Sequence, residues 1–271
     1  MADLAPTATD SGAASRGEAG AAPDTLSSLK FSEKAHRYWL DGRPIPGVTT
    51  LLKGIPKPAL VYWSARTVAE YVADNADQID ALRAMGRGPM VNALKGVPWE
   101  ARDRAAVRGT DVHALAEQLV HGETVDVPEH LAGYVEGYVA WLDRVQPEVV
   151  WTERPVINRQ HWYAGTADAL LRVDGRLLLA DWKTSSGAYG EYACQVAMYA
   201  NAEAYVDADW VERPMPAIDG CAVVHITDGA TFQYDVTDVE AAYRDALHAA
   251  WVYRAGDRIK GYLRLVGEGP S

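Results

Sequence analysis

The chain has 271 residues, 48% of them hydrophobic, which is enough for one large domain or one and a half. Its formal net charge of −11 gives no hint of a nucleic-acid partner. It does not exclude one either, because a catalytic domain needs only a local basic path and its carboxylates can belong to a site.

Two cysteines, Cys194 and Cys221, lie far apart and outside any CxxC pattern, which excludes a disulfide scaffold and a four-cysteine zinc or iron–sulfur site. No run of about 18 apolar residues is present, so no membrane span is expected. Residues 1–28, rich in Ala, Gly, Ser and Thr, lack the basic start and apolar core of a secretory signal. They also lack branched and aromatic residues that could pack, so they read as a disordered lead-in to a soluble, cytoplasmic protein.

Order is expected to begin near Leu29. A short β-hairpin with Asp41-Gly42 as its turn runs into a small helix. "PALVYWSARTVAEYVADNADQIDALRAM" has helical spacing, with Leu60, Trp63, Val68 and Tyr71 in the stripe and Pro58 at its start. "RGPMVNALKGVPWEARDRA" is punctuated by Gly and Pro and reads as a turn between helices. The next helix, "WEARDRAAVRGTDVHALAEQLVHG", restarts near Gly109, and "PEHLAGYVEGYVAWLDRVQP" gives another with Leu131, Tyr134, Tyr138 and Leu142 on one side.

The pattern then changes. "EVVWTERPVIN", "WYAGTADALLRV" and "RLLLADWKT" read as consecutive strands, "YGEYACQVAMYANAEAYV" as a helix, "GCAVVHITDGATFQYDV" as two strands, and "DVEAAYRDALHAAWVYRAG" as a closing helix. The expected organisation is a mostly helical part over 29–147, an α/β core over 148–260 with a mixed sheet flanked by helices, and a tail over 261–271.

The chemistry concentrates in the hairpin. If Asp174-Gly175 are the central residues of a two-residue turn, Val173 faces Arg176, Leu171 faces Leu178, and Asp168 faces Asp181. Directly opposed side chains lie on one face, about 4.5–5.5 Å apart at Cβ, and Lys183, two residues on, shares it. Opposed carboxylates on apolar strands repel, and burial disfavours their ionised forms. A divalent cation held by oxygen ligands relieves both problems, and Mg²⁺ or Mn²⁺ suits the set. His113 lies on a helix, with Glu117 one turn later on the same face.

The segments "RGTDVHALAE", "GTADALL", "DWKTS" and "QVAMY" together resemble the RecB-like branch of the PD-(D/E)XK nucleases. Within it the chain is similar to phage and CRISPR-associated exonucleases and to the mitochondrial genome maintenance exonuclease. The resemblance covers roughly residues 30–255. It implies a restriction-endonuclease-like core and a metal-dependent DNA exonuclease of phage or bacterial recombination, replication or repair. It further implies His113, Asp168, Asp181 and the backbone carbonyl of Trp182 as metal ligands, Lys183 as the catalytic lysine, and Gln195 and Tyr199 as supporting residues beside the site. Many CRISPR-associated relatives carry an iron–sulfur cluster, which this chain lacks the cysteines to hold. Whether Glu153, on the preceding strand, approaches the site or faces outward stays open.

DNA contacts are expected from Arg102, Arg104 and Arg108 ahead of His113 and from Lys53, Lys57 and Arg66, with Trp63 available for stacking. Strand ends are the expected DNA feature, and a recombinase or single-strand-binding protein is the partner class considered. The alternatives are a structure-selective endonuclease on the same fold and a catalytically silent DNA-binding module.

Overall fold

The computed structural model describes residues 26–32 and 37–264; most of the expected lead-in and the end of the tail lie outside them. The chain is already engaged at Leu26, which bridges to Val211, and the Ser27 N–H donates to the Trp210 carbonyl at 2.8 Å. Strands β1 (Lys30–Ser32), β2 (Arg37–Leu40) and β3 (Arg43–Ile45) form a small antiparallel sheet. The β2–β3 turn places Asp41 and Gly42 at φ 52° and 71°, the conformation that an Asp-Gly pair favours in a two-residue hairpin.

A one-turn helix, α1 (Val48–Leu51), leads to α2 (Ala59–Asp74), α3 (Ala76–Ala84), α4 (Arg87–Val120) and α5 (Ala132–Val145). Two expectations fail here. The segment read as a turn is the first half of α4, which runs 34 residues without restarting at Gly109. Pro89 lies in the first turn, where its missing N–H has no intrahelical acceptor, and Pro98 forfeits a single bond in a helix held by Val97, Val112, Leu115 and Ala116. The second is that the segment from Pro58 divides into α2 and α3 at Asn75. Pro58 does cap α2 as expected, and no α2 residue is buried, since α2 packs along α4.

The core follows as β4 (Glu148–Asn158), β5 (Tyr163–Val173), β6 (Arg176–Lys183), α6 (Gly190–Ala200), β7 (Ala204–Val206), β8 (Glu212–Pro214), β9 (Gly220–Thr227), β10 (Ala230–Asp235) and α7 (Val239–Arg258). The helix expected to run to residue 206 stops at Ala200. The Asn201 side chain donates to the Ala197 carbonyl, and residues 204–206 pair with β4 instead.

This is an α/β fold whose seven-stranded mixed sheet has the order β10-β9-β6-β5-β4-β7-β8, with β6 and β9 the parallel pair. Helices cover both faces. Leu170 and Leu179 face α1, α6 and α7, whereas Leu171 and Trp182 face α4 and α5. That double burial explains why the central strands are apolar at consecutive positions. Among the described residues, no helix is long and apolar enough to cross a membrane.

Candidate metal centre

The β5–β6 register is the one the Asp-Gly turn implies. Asp174 and Gly175 adopt φ 49° and 76°, and pairs run from Val173↔Arg176 to Ala169↔Ala180. The ladder stops there, one position short of Asp168 and Asp181, which the same count would set opposite each other. The Trp182 N–H, which would have continued it, donates to Asp168 Oδ2 at 2.7 Å. Beyond this point β6 keeps company with β9 as far as Lys183↔His225, while β5 continues along β4.

On the other side, Thr152↔Ala169 and Arg154↔Ala167 flank Glu153 and Asp168. By position, Glu153, Asp168 and Asp181 line up as one rung across three adjacent strands, although Asp168 is paired to neither of the other two. The rung is irregular. Glu153 sits at φ 48°, and Ala167 and Ala169, two apart on β5, lie in different core layers. Ordinary strand alternation would put both on one face, so the facing of side chains reverses at Asp168.

Helix α4 brings His113 over this rung, with Nδ1 3.7 Å from Asp168 Oδ2. Ligand atoms of His113, Glu153 and Asp168 all lie within 4.8 Å of one another, close enough that the three could hold a metal ion. Asp181 is fully buried and engaged elsewhere. Its Oδ1 accepts from Gln195 Nε2 at 2.9 Å, and its Oδ2 pairs with Lys183 Nζ. Gln195 also donates to the Tyr199 hydroxyl at 3.1 Å. Gly165 makes room for that tyrosine, since a Cβ there would stand 2.5 Å from its ring. Lys183 Nζ further donates to the Trp182 carbonyl at 3.3 Å and lies 5.2 Å from the centre of the Tyr192 ring.

The carboxyl groups carry the mark of crowding. Burial pushes Asp168 above the usual carboxylate range, with Lys183 and the Trp182 N–H acting against it. Burial likewise lifts Asp181 to about 6, opposed by Lys183 and reinforced by Asp168. Glu153 is exposed as a residue, yet its carboxyl is pushed up to about 8, first by desolvation among protein atoms and then by Asp168, Glu117 and Asp181. Burial disfavours the charge on Lys183, but Asp181 and Asp168 outweigh it and hold the amine above its ordinary value. His113 is lowered to about 4, by burial and then by Lys183, so its ring is neutral at physiological pH.

A neutral imidazole and carboxylate oxygens are metal-binding forms. Burial first, and the neighbouring carboxylates second, raise the proton affinity of all three acids. A divalent cation fits that donor set.

Glu117 lies at the margin, accepting from the Thr152 hydroxyl at 3.1 Å. Of the expected DNA contacts, Arg108 lies on α4 five residues before His113. It stands over the Tyr134 ring at 5.8 Å, next to Gly109, whose Cβ position lies 3.0 Å from Thr184 Oγ1. Lys57 is paired with Glu191, Arg66 with Glu70 and Arg102 with Asp103, while Lys53, Arg104 and Trp63 are exposed. Sequence reasoning missed Trp99, exposed beneath the Arg102 guanidinium at 4.6 Å, and His121, bonded to Thr152. The spacing of His113, Glu117 and His121 by four residues was the available signal for the latter.

No family model matches the chain, and no curated protein matches it. Among solved structures it is similar to SSO0001 at 14% identity and a TM-score of 0.28, over 77% of this chain and 74% of that one. That likeness is too slight to argue from.

Proposed function

We propose that this chain is a metal-dependent DNA exonuclease built on a PD-(D/E)XK core. One observation carries the reading: ligand atoms of His113, Glu153 and Asp168 converge within 4.8 Å of one another, and on the neighbouring strand the buried Asp181 is ion-paired to Lys183. The motif resemblance implies His113, Asp168, Asp181 and Lys183 for the site, and Glu153 is added by the geometry.

When bound, Mg²⁺ or Mn²⁺ polarises a phosphate and makes water a better nucleophile. His113, Glu153 and Asp168 are the residues to hold it. Lys183 offsets negative charge developing on the phosphate and orients the attacking water. Asp181 and the Trp182 carbonyl aim the ammonium, and Gln195 with Tyr199 fixes Asp181 in turn.

The acidic total does not oppose DNA binding, because residues 87–108 carry five Lys or Arg (Arg87, Lys95, Arg102, Arg104, Arg108) against Glu100 and Asp103. This basic stretch leads straight into the His113 helix turn. Such contacts grip phosphates without reading sequence.

The test is a cleavage time course with Mn²⁺ or Mg²⁺ on four DNAs: single strands labelled at the 5′ or the 3′ end, a linear duplex, and a closed circle. EDTA and Lys183→Ala serve as controls. Loss from one end with the circle spared is expected, and Lys183→Ala should bind DNA without cutting it. Cutting of the circle would move the protein to endonucleases, and binding with no cleavage would leave a silent module.

A further inference from the structure

The three residues assigned to the metal come from three elements, α4, β4 and β5, and something must fix those elements in register. Apolar packing sets how close a helix sits to a sheet but resists sliding along it only weakly. Helix α4 is a demanding case, since few of its 34 residues are buried.

Thr152 supplies a polar link. It is buried on β4, immediately before Glu153, and its hydroxyl meets Glu117 of α4 and His121, the residue that caps the end of α4. The hydroxyl has one proton, given to Glu117 Oε1 at 3.1 Å, so the 3.0 Å contact from His121 Nε2 makes the imidazole the donor. Glu117 follows His113 by four on the same helix face, and His121, four further on, caps the helix end below it. The bonded pair therefore ties the face that carries His113 to the strand that carries Glu153. It does so one residue from a φ of 48°, which a non-glycine side chain keeps only where its surroundings hold it.

We propose that Thr152 is a positioning residue whose hydroxyl, held between Glu117 and His121, sets α4 against β4 so that His113 and Glu153 converge on Asp168. The proposal rests on the metal-site reading above, and its test separates the two.

Mn²⁺ is titrated by calorimetry into the full chain as wild type, Thr152→Val and Thr152→Ser. Thr152→Val keeps the shape and loses both bonds, and is expected to weaken Mn²⁺ binding about tenfold or more, the usual effect of removing a group that orients metal ligands. Thr152→Ser should bind like wild type. Equal affinity in Thr152→Val overturns the proposal. So does a Thr152→Ser protein as weak as Thr152→Val, which would implicate the methyl group instead. A wild type that takes up no Mn²⁺ removes the metal site itself, and the proposal with it. Should Thr152→Val fail to fold, His121→Ala, at an exposed position, decides: a smaller weakening supports the link and unchanged affinity refutes it.

Discussion

Asp181→Asn should flatten the dependence of stability on pH in the metal-free protein. Asp181 has no exposed surface, and its folded carboxyl titrates near 6 rather than 3.8, chiefly through burial. The folded state thus binds this proton more tightly than the unfolded chain does. Its stabilising share is complete below about pH 4 and is lost as pH rises through about 6. A tenfold change in proton affinity corresponds to about 1.4 kcal/mol, so the full loss is about 3 kcal/mol. Roughly 2 kcal/mol of that falls between pH 4.5 and 7.5 by the linkage relation. For a chain of this size that corresponds to a Tm shift of about 4–8 °C.

The assay is thermal unfolding followed by circular dichroism in EDTA at both pH values, for wild type and variant. Wild type should lose that much more Tm across the window than Asp181→Asn does. Absolute Tm values are not the readout, because the variant also deprives Lys183 of its partner. Parallel pH profiles would refute the reasoning, since they would mean that Asp181 titrates alike in the folded and unfolded chain.

Two further outcomes follow from the same geometry. Glu153→Ala should weaken Mn²⁺ binding on the order of tenfold or more, and Asp181→Asn should weaken it less, because the Asp181 oxygens face Lys183 and Gln195. Calorimetry that ranks the two the other way round would return Asp181 to the first place among the ligands. Gly137→Ala should destabilise by about 1–3 kcal/mol in urea unfolding, since its Cβ would stand 2.6 Å from the backbone nitrogen of Ala230. An unchanged midpoint would show that α5 can shift off β10 freely.

The hairpin was legible because two strong local rules agree on it. An Asp-Gly pair selects a two-residue turn, and the apolar residues on both sides match only at that register, so counting outward reaches Asp168 opposite Asp181. Glu153 was not legible. Its place depends on which residue of β4 meets Asp168 across a second strand pair, and on a left-handed φ that glutamate does not advertise. Helix α4 was misread for the opposite reason. Gly88, Pro89, Gly96 and Pro98 are strong local breakers, yet each meets a position where helix costs little or where packing offsets the loss. Strands β7 and β8, three residues each, are too short to carry a pattern at all.

The break in the β5–β6 ladder links the fold to the site. Had β6 stayed paired with β5, the Trp182 N–H would have gone to a backbone carbonyl and Asp168 would be a buried carboxylate without that donor. By leaving β5 at this rung, β6 frees the N–H for Asp168 and carries Lys183 on beside β9, against α6. The two covered faces then divide the acids: α4 meets Asp168 and Glu153 with an imidazole, and α6 meets Asp181 with an amide next to a lysine. A divalent cation and an ammonium can therefore serve one rung without competing for the same oxygen atoms. In the proposed hydrolysis, that separation would leave the cation free to polarise the phosphate while the ammonium offsets its developing charge.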